Sequence, residues 1–162
     1  MDYELREVRE TDRDDIDALL SLMPGAYTEE GRRLFLRDVY AHHALVATFH
    51  KVACGIVSWA SFTTEIEFLW LAIHPDHRRR GLATRLFQHV ESRADESLRI
   101  LLAKTADADN LPLHLGLSRQ NYLDTMKFLK GYGFETVAYI NDYFGPDNPA
   151  ILMIKRIGRD ND

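Results

Sequence analysis

Between Ala44 and Ile73 the chain carries three consecutive β-type runs, Ala44 to Phe49, Val52 to Phe62 and Glu65 to Ile73, parted only by His50-Lys51 and Thr63-Thr64. Two residues suffice to turn a strand back on an antiparallel neighbour, whereas a parallel return needs about a dozen or more. The spacing therefore predicts an antiparallel meander, and any fold of this chain must be built around it. Pro75 closes the third run, because proline has no N–H to give a ladder.

The flanking segments supply helices and further strands. Tyr3 to Val8 reads as a first strand. Ile16, Leu19, Leu20 and Met23 recur at i, i+3, i+4 and i+7, the stripe of an amphipathic helix stopped by Pro24 and Gly25. Thr28 with Glu29 and Glu30 opens a second helix that runs through Leu34, Phe35 and Tyr40 to about His42. A third runs from about Leu82 to Ala94, with Leu82, Leu86 and Val90 on one stripe, and Leu98 to Ala103 is apolar enough for a buried strand. Asp107 to Arg119 is polar and irregular, with a turn at Leu113 to Leu117. Asn121 to Tyr132 is helical and ends at Gly133, and Phe134 to Ile140 and Ala150 to Ile157 are the last strands. The order βααβββαβαββ predicts one α/β domain over residues 1–162, its sheet flanked by helices on both faces.

Composition removes several classes. The longest clean apolar run, Phe68 to Ile73, is far short of the ~18 residues of a membrane helix. The N-terminus MDYELREVRETDRDD is too charged for a signal peptide. Cys54 is the only cysteine, so no internal disulfide and no CxxC zinc pair exists, and a reducing cytoplasm is the expected compartment. The net charge of −5 argues against a nucleic-acid partner, which needs a broad basic face, and suits a cationic small molecule better.

The chemistry concentrates in Phe68 to Leu86, FLWLAIHPDHRRRGLATRL: an apolar strand, a proline, a basic loop with Gly81, then a helix opening on small residues. Free N–H groups in a first helical turn, with the positive end of the helix dipole, make an anion site. Gly81 and Ala83 leave room for a bulky pyrophosphate, and Arg78, Arg79, Arg80 and Arg85 add cationic charge. Neither a Walker A loop nor a GxGxxG fingerprint is present.

Arg78-Arg79-Arg80-Gly81-Leu82-Ala83 resembles the R/Q-x-x-G-x-G/A signature of the GNAT N-acetyltransferase superfamily, in the context that signature requires: after a strand ending in Ile73-His74-Pro75, and opening a helix. Phe128 to Phe134, FLKGYGF, looks like the family's FYxxxGF ending of its next helix. The order of elements matches from Tyr3 to Ile157. The resemblance implies a GNAT fold, a central mixed, mostly antiparallel sheet of about seven strands with about four helices. It also implies acetyl-CoA as cosubstrate, its pyrophosphate on Arg78, Arg79, Arg80, Gly81, Leu82, Ala83 and Thr84, and no metal; Asn121 stands one position before the place of the family's coenzyme-side asparagine, which Tyr122 occupies. It implies that Leu71 or Ala72 offers a backbone donor to the thioester oxygen, and that Leu71 and Ile73 pair with the pantetheine arm.

Acetyl transfer to an amine needs a proton acceptor, since a lysine-like amine of pKa ~10.4 is neutral in about one molecule in ~2,500 at pH 7, a penalty of ~4.6 kcal/mol. Glu67 stands where family members with a strand-borne glutamate base carry it, and Glu65 is the reserve. Strict alternation would put Glu65, Glu67, Leu69 and Leu71 on one face and Ile66, Phe68 and Trp70 on the other. One departure matters: the family's acid tyrosine is replaced by Leu129. Tyr132, one turn along, and Tyr143, in the following loop, are both candidates to protonate the leaving thiolate. The expected enzyme is an N-acetyltransferase acting on a primary amine in a ternary complex; without an acid, a non-catalytic acyl-CoA-binding module is the rival. Glu29, Glu30, Asp38 and the Asn141 to Asp147 loop are expected to frame an acceptor pocket of acidic character, for a metabolite, an antibiotic or a protein N-terminus. A homodimer is compatible with the sequence. His74 and His77 lack a third protein ligand for zinc, and the apolar neighbours of Cys54 favour an inert thiol.

Overall fold

The computed structural model describes residues 1–158. Seven strands form one sheet: β1 (Glu4–Glu7), β2 (His43–Phe49), β3 (Val52–Ser61), β4 (Glu65–Ile73), β5 (Ile100–Ala106), β6 (Glu135–Ile140) and β7 (Ala150–Arg156), in spatial order β1-β2-β3-β4-β5-β7-β6. The meander of β2 to β4 is antiparallel, as the two-residue breaks require, and only β4 and β5 run parallel. The β2–β3 turn has no glycine, yet His50 and Lys51 both take positive φ, 50° and 68°. That is the backbone of the tight hairpin turn whose twist matches the strands.

Four helices cover the two faces: α1 (Arg13–Ser21), α2 (Glu29–Ala41), α3 (Leu82–Ser92) and α4 (Arg119–Tyr132). Ile16, Leu19 and Leu20 of α1 and Phe35 and Val39 of α2 pack with Ala44, Ile56 and Ala72 on one face. Leu82, Leu86, Phe87 and Val90 of α3 and Leu129 of α4 pack with Phe68, Leu101 and Met153 on the other. Phe87 is sealed from solvent and its ring stacks on Phe68 at 3.8 Å. The crossover from β4 through α3 to β5 makes the parallel pair. The buried strand predicted from Leu98 starts later, at Ile100, and extends to Ala106.

Two irregularities of β4 define everything that follows. Ser58 pairs with Trp70 and Trp59 with Phe68, so Leu69 is an extra residue, a β-bulge. The bulge overturns the strict alternation expected for this strand. Ile66 and Phe68 lie in the α3/α4 core, but beyond the bulge it is Leu71 and Ile73 that pack there, while Trp70 and Ala72 join the α1/α2 core. Leu71 is therefore not on the face of Glu67. The second irregularity is a fork. Pairing of β4 with β5 covers only Glu65 to Phe68, opposite Ile100 to Ala103. From Leu69 onward β4 follows β3 alone while β5 leaves with β7.

Candidate active site

The fork exposes one edge of β4. The His74 N–H donates to Cys54 O at 2.8 Å, which sets the phase of the antiparallel ladder: Ala72 and Trp70, two and four residues back, exchange their backbone bonds with β3. Leu71 and Ile73 then turn their N–H and C=O groups toward the gap. Two carbonyls there are already engaged, Leu71 O by the Tyr27 hydroxyl at 2.6 Å and Ile73 O by Arg78 Nε at 3.2 Å. Ala72, grouped with Leu71 in the sequence as a backbone donor, is committed to Ile56 of β3 and buries its methyl against α1 and α2. Its N–H does not reach the gap.

β4 runs on through the short turn Pro75–His77 into the arginine loop and α3. His74 Nδ1 accepts the Asp76 N–H at 3.0 Å and so closes that turn from within. Gly81 caps α3 at φ +73°, a conformation costly for other residues, and a Cβ built there would meet nothing within 4 Å. The first helical bond is Arg85 N–H to Gly81 O, 3.0 Å. The N–H groups of Leu82, Ala83 and Thr84 consequently have no acceptor inside the helix. Leu82 contributes backbone only, because its side chain is buried in the core. Arg78, Arg79 and Arg80 are exposed around this opening. Arg85 is turned aside, its guanidinium 5.6 Å from the Tyr3 ring, and is less part of the cradle than its position in the sequence implied. Three outward N–H donors, open space above a glycine and exposed guanidiniums fit a pyrophosphate.

Over the fork lies a bridge made by the α1–α2 connection. The Ser118 N–H donates to Gly25 O at 2.7 Å and the Tyr122 hydroxyl to Ala26 O at 2.8 Å, joining this loop to the start of α4. The approach is close: a Cβ on Gly25 would stand 2.8 Å from that of Ser118. Burial pushes the Tyr27 hydroxyl well above the ordinary phenol range and that of Tyr122 up to about 12, so both stay protonated as donors. Asn121 sits in the first turn of α4, where its N–H bonds Ser118 Oγ at 3.2 Å.

The candidate acid and base residues are placed as follows. Glu67 lies on β4 just before the bulge, half-buried, and its Oε1 accepts a 2.7 Å bond from Lys104 Nζ on β5. Lys104 is the first residue of β5 beyond the last β4 pair. Its ammonium also lies 5.2 Å from the ring centroid of Tyr143 in the β6–β7 loop. Burial pulls the Lys104 pKa down, but bonds to Glu67 and Tyr143 outweigh it and leave the group raised, hence fully charged. Glu67 and Tyr143 are thus brought together by a third residue. Glu65, the reserve base, is half-buried two residues back on the same face.

Tyr132 is not part of this group. Its ring packs on Phe87 at 5.2 Å and under the Lys155 ammonium at 4.3 Å, and its pKa is raised by burial and by Glu91. Glu91 belongs to the last turn of α3, the end opposite Gly81, so this phenol is turned away from the arginine loop. Leu129, in the family's tyrosine position, is 4% exposed and part of the core. The acidic frame expected from α2 is also answered internally: Glu30 pairs with Arg33, and Asp38 accepts from Trp70 Nε1 at 2.8 Å and pairs with Arg37. Burial pushes the Cys54 thiol up to about 11. Among the described residues no group of three His, Cys, Asp or Glu side chains is arranged to hold a metal ion.

Lys104 and Tyr27 were missed by sequence reasoning. A lone charge inside the apolar run ILLAKTA was a usable signal for Lys104, because a buried strand tolerates a lysine only with partners. Tyr27 carried none, since its contact with Leu71 joins residues 44 positions apart.

Comparison with known proteins bears on this arrangement. The profile of the acetyltransferase (GNAT) domain family matches residues 40–136. No curated protein sequence matches the chain. Among solved structures, a GNAT-family protein from Desulfovibrio desulfuricans superposes with a TM-score of 0.79 at 18% identity, covering 97% of this chain and 100% of its own. An aminoglycoside 6'-N-acetyltransferase complexed with coenzyme A gives 0.73 at 18% identity, with 98% and 99% covered. A ribosomal-protein alanine N-acetyltransferase from Escherichia coli gives 0.69 at 14% identity, with 99% of both chains covered.

Proposed function

The chain belongs to the GNAT acetyltransferase family, and from that premise we propose that it is an acetyl-CoA-dependent N-acetyltransferase that moves the acetyl group directly to a primary amine in a ternary complex. The observation that carries this reading is the continuity of β4: one strand leads from Glu67, through a fork that leaves the Leu71 and Ile73 N–H groups open, to the unpaired N–H groups at the start of α3.

In this reading Leu82, Ala83 and Thr84 bind pyrophosphate oxygens through their N–H groups, with Arg78, Arg79 and Arg80 adding charge-assisted bonds. Leu71 and Ile73 hold the pantetheine arm through their N–H groups, since their carbonyls are engaged by Tyr27 and Arg78. Acetyl-CoA supplies a thioester whose carbonyl carbon the amine attacks; the C–N bond forms, the C–S bond breaks, and the sulfur takes up a proton. The backbone N–H of Leu71 or Ile73 stabilises the charge developing on the carbonyl oxygen, an effect worth about 2.7–4 kcal/mol for one such donor. Glu67 accepts the proton that the amine nitrogen loses, through a water. Tyr143 and Tyr27 are the phenols near this path; Tyr132 is excluded by its packing against Phe87 and Glu91.

The acceptor is read as a small-molecule or peptide amine. Relatives of this fold are named for aminoglycosides and for a ribosomal protein, and both kinds of acceptor are amines. Acidity that favours a cationic acceptor lies less in α2 than in a recess beside the β6–β7 loop, lined by Asp107, Asp142 and Asp147. A binding module without turnover is favoured by one observation, the burial of Leu129 where the family's acid stands.

Calorimetric titration with acetyl-CoA tests the root of the proposal. The wild type is expected to bind in the micromolar range, and the double variant Gly81→Glu, Ala83→Glu, checked for fold by circular dichroism, is expected to lose about a hundredfold or more in affinity through like-charge repulsion. No heat with the wild type sinks the reading. Free-thiol release with a panel of primary amines then separates enzyme from binding module.

A further inference from the structure

Glu67, taken alone, is a poor arrangement for its proposed task. An isolated carboxylate beside an incoming amine stabilises the ammonium form, which has no lone pair to attack with. The structure supplies a remedy in Lys104. Its Nζ lies 2.7 Å from Glu67 Oε1 across the base of the fork, with side-chain exposures of 25% and 22% for the two residues. Tyr143 closes the other side of the ammonium. Glu65 lies two residues back on β4, Tyr143 comes from the β6–β7 loop, and the register partners on β3 and β7, Ala60 and Leu152, are uncharged.

The Tyr143 loop is itself held in shape. The Asp147 N–H donates to Asp142 Oδ1 at 2.8 Å and the Phe144 N–H to Asn148 O at 3.1 Å. Lys104 is thus clamped between a sheet carboxylate and a closed loop, and a long lysine side chain so held is not a free surface charge.

We propose that Lys104 is a positioning residue that holds the Glu67 carboxylate in orientation while making the base site net neutral, so that the acceptor amine is taken up without being trapped as an ammonium. This rests on the reading of Glu67 as the base. Lys104 forms no bond to acetyl or acceptor. It fixes one oxygen of the carboxylate and leaves the other for the bridging water.

The test uses full-length protein and three variants, Lys104→Met, Lys104→Arg and Glu67→Gln, with benzylamine as acceptor probe. In Lys104→Met the base site regains a net negative charge, so at pH 7 the KM for benzylamine falls while kcat falls about tenfold, the signature of a tighter but less productive ammonium complex. Lys104→Arg restores both constants, since it returns the charge. Unchanged constants in Lys104→Met, a KM that rises together with the loss of kcat, or failure of arginine to restore them overturns the proposal. Failure of the underlying reading looks different: wild type and Lys104→Arg bind acetyl-CoA but release no thiol with any amine, or Glu67→Gln turns over at the wild-type rate.

Discussion

The two halves of β4, divided by the bulge at Leu69, work in opposite ways. Glu65 to Phe68 is laddered by β5 on one side and, from Ile66, by β3 on the other. What it offers the site is a side chain, Glu67. Trp70 to Ile73 is laddered on one side only, and its inward side chains are ordinary core. What it offers is backbone. The comparison teaches that one strand separates two duties: a laddered half fixes the place of a carboxylate, and a half paired on one side only leaves N–H groups that a ligand can meet in the manner of a missing neighbour.

If the halves are separable in this sense, damage to one leaves the other intact. The largest effect is expected from Glu67→Gln: kcat falls by about 10²–10⁴, the usual worth of a general base, while the calorimetric affinity for acetyl-CoA stays within about twofold. A parallel loss of affinity would break the division. Arg78→Ala acts on the other half. Its Nε bond to Ile73 O is lost together with a cation beside the open N–H groups, and coenzyme affinity is expected to drop about tenfold with kcat at saturation little changed. The smallest effect is reserved for Tyr27→Phe, which removes one hydrogen bond from Leu71 O. A loss of roughly 0.5–1.5 kcal/mol in unfolding free energy is expected, and a change in turnover of only a few-fold, if Tyr27 merely braces the strand. A hundredfold loss of kcat would instead make that phenol the acid that Leu129 cannot be.

The same division explains what could be seen in the sequence. Ala44 to Ile73 is patterned at period two with minimal breaks, so the meander and its direction follow from local chemistry. The arginine loop was equally visible, because a strand, a proline, a glycine and a helix start are all local features, and the donors they present are backbone groups set by those features. The bulge was not visible. FLWLAI has no glycine or polar residue to mark it, and the Trp70 side chain just beyond it meets Phe35 and Asp38 of α2, residues distant in sequence. Because of it, the strict face assignment failed at Leu71, and Ala72 was miscast as a donor to the gap. Tyr132 was miscast for a similar reason: spacing along α4 places a residue on the helix but does not say that Phe87 and Glu91 lie under it. The Glu67–Lys104–Tyr143 group joins three elements distant in sequence, and only one of its members, a lysine in an apolar strand, announced itself.

The fork has a consequence for how this protein behaves while the gap is empty. A sheet that parts between Phe68 and Ile73 is short of one neighbour there, so the amides of Leu71 and Ile73 should exchange their hydrogens with solvent far faster than those of Trp70 and Ala72 between them. A ligand strand laid in the gap would erase that two-residue beat and raise the melting temperature with its concentration, the stabilisation reaching about 2.7 kcal/mol at a hundred times its dissociation constant. Alternating protection along four residues is therefore a fingerprint of the empty protein, and its disappearance a direct record of occupancy.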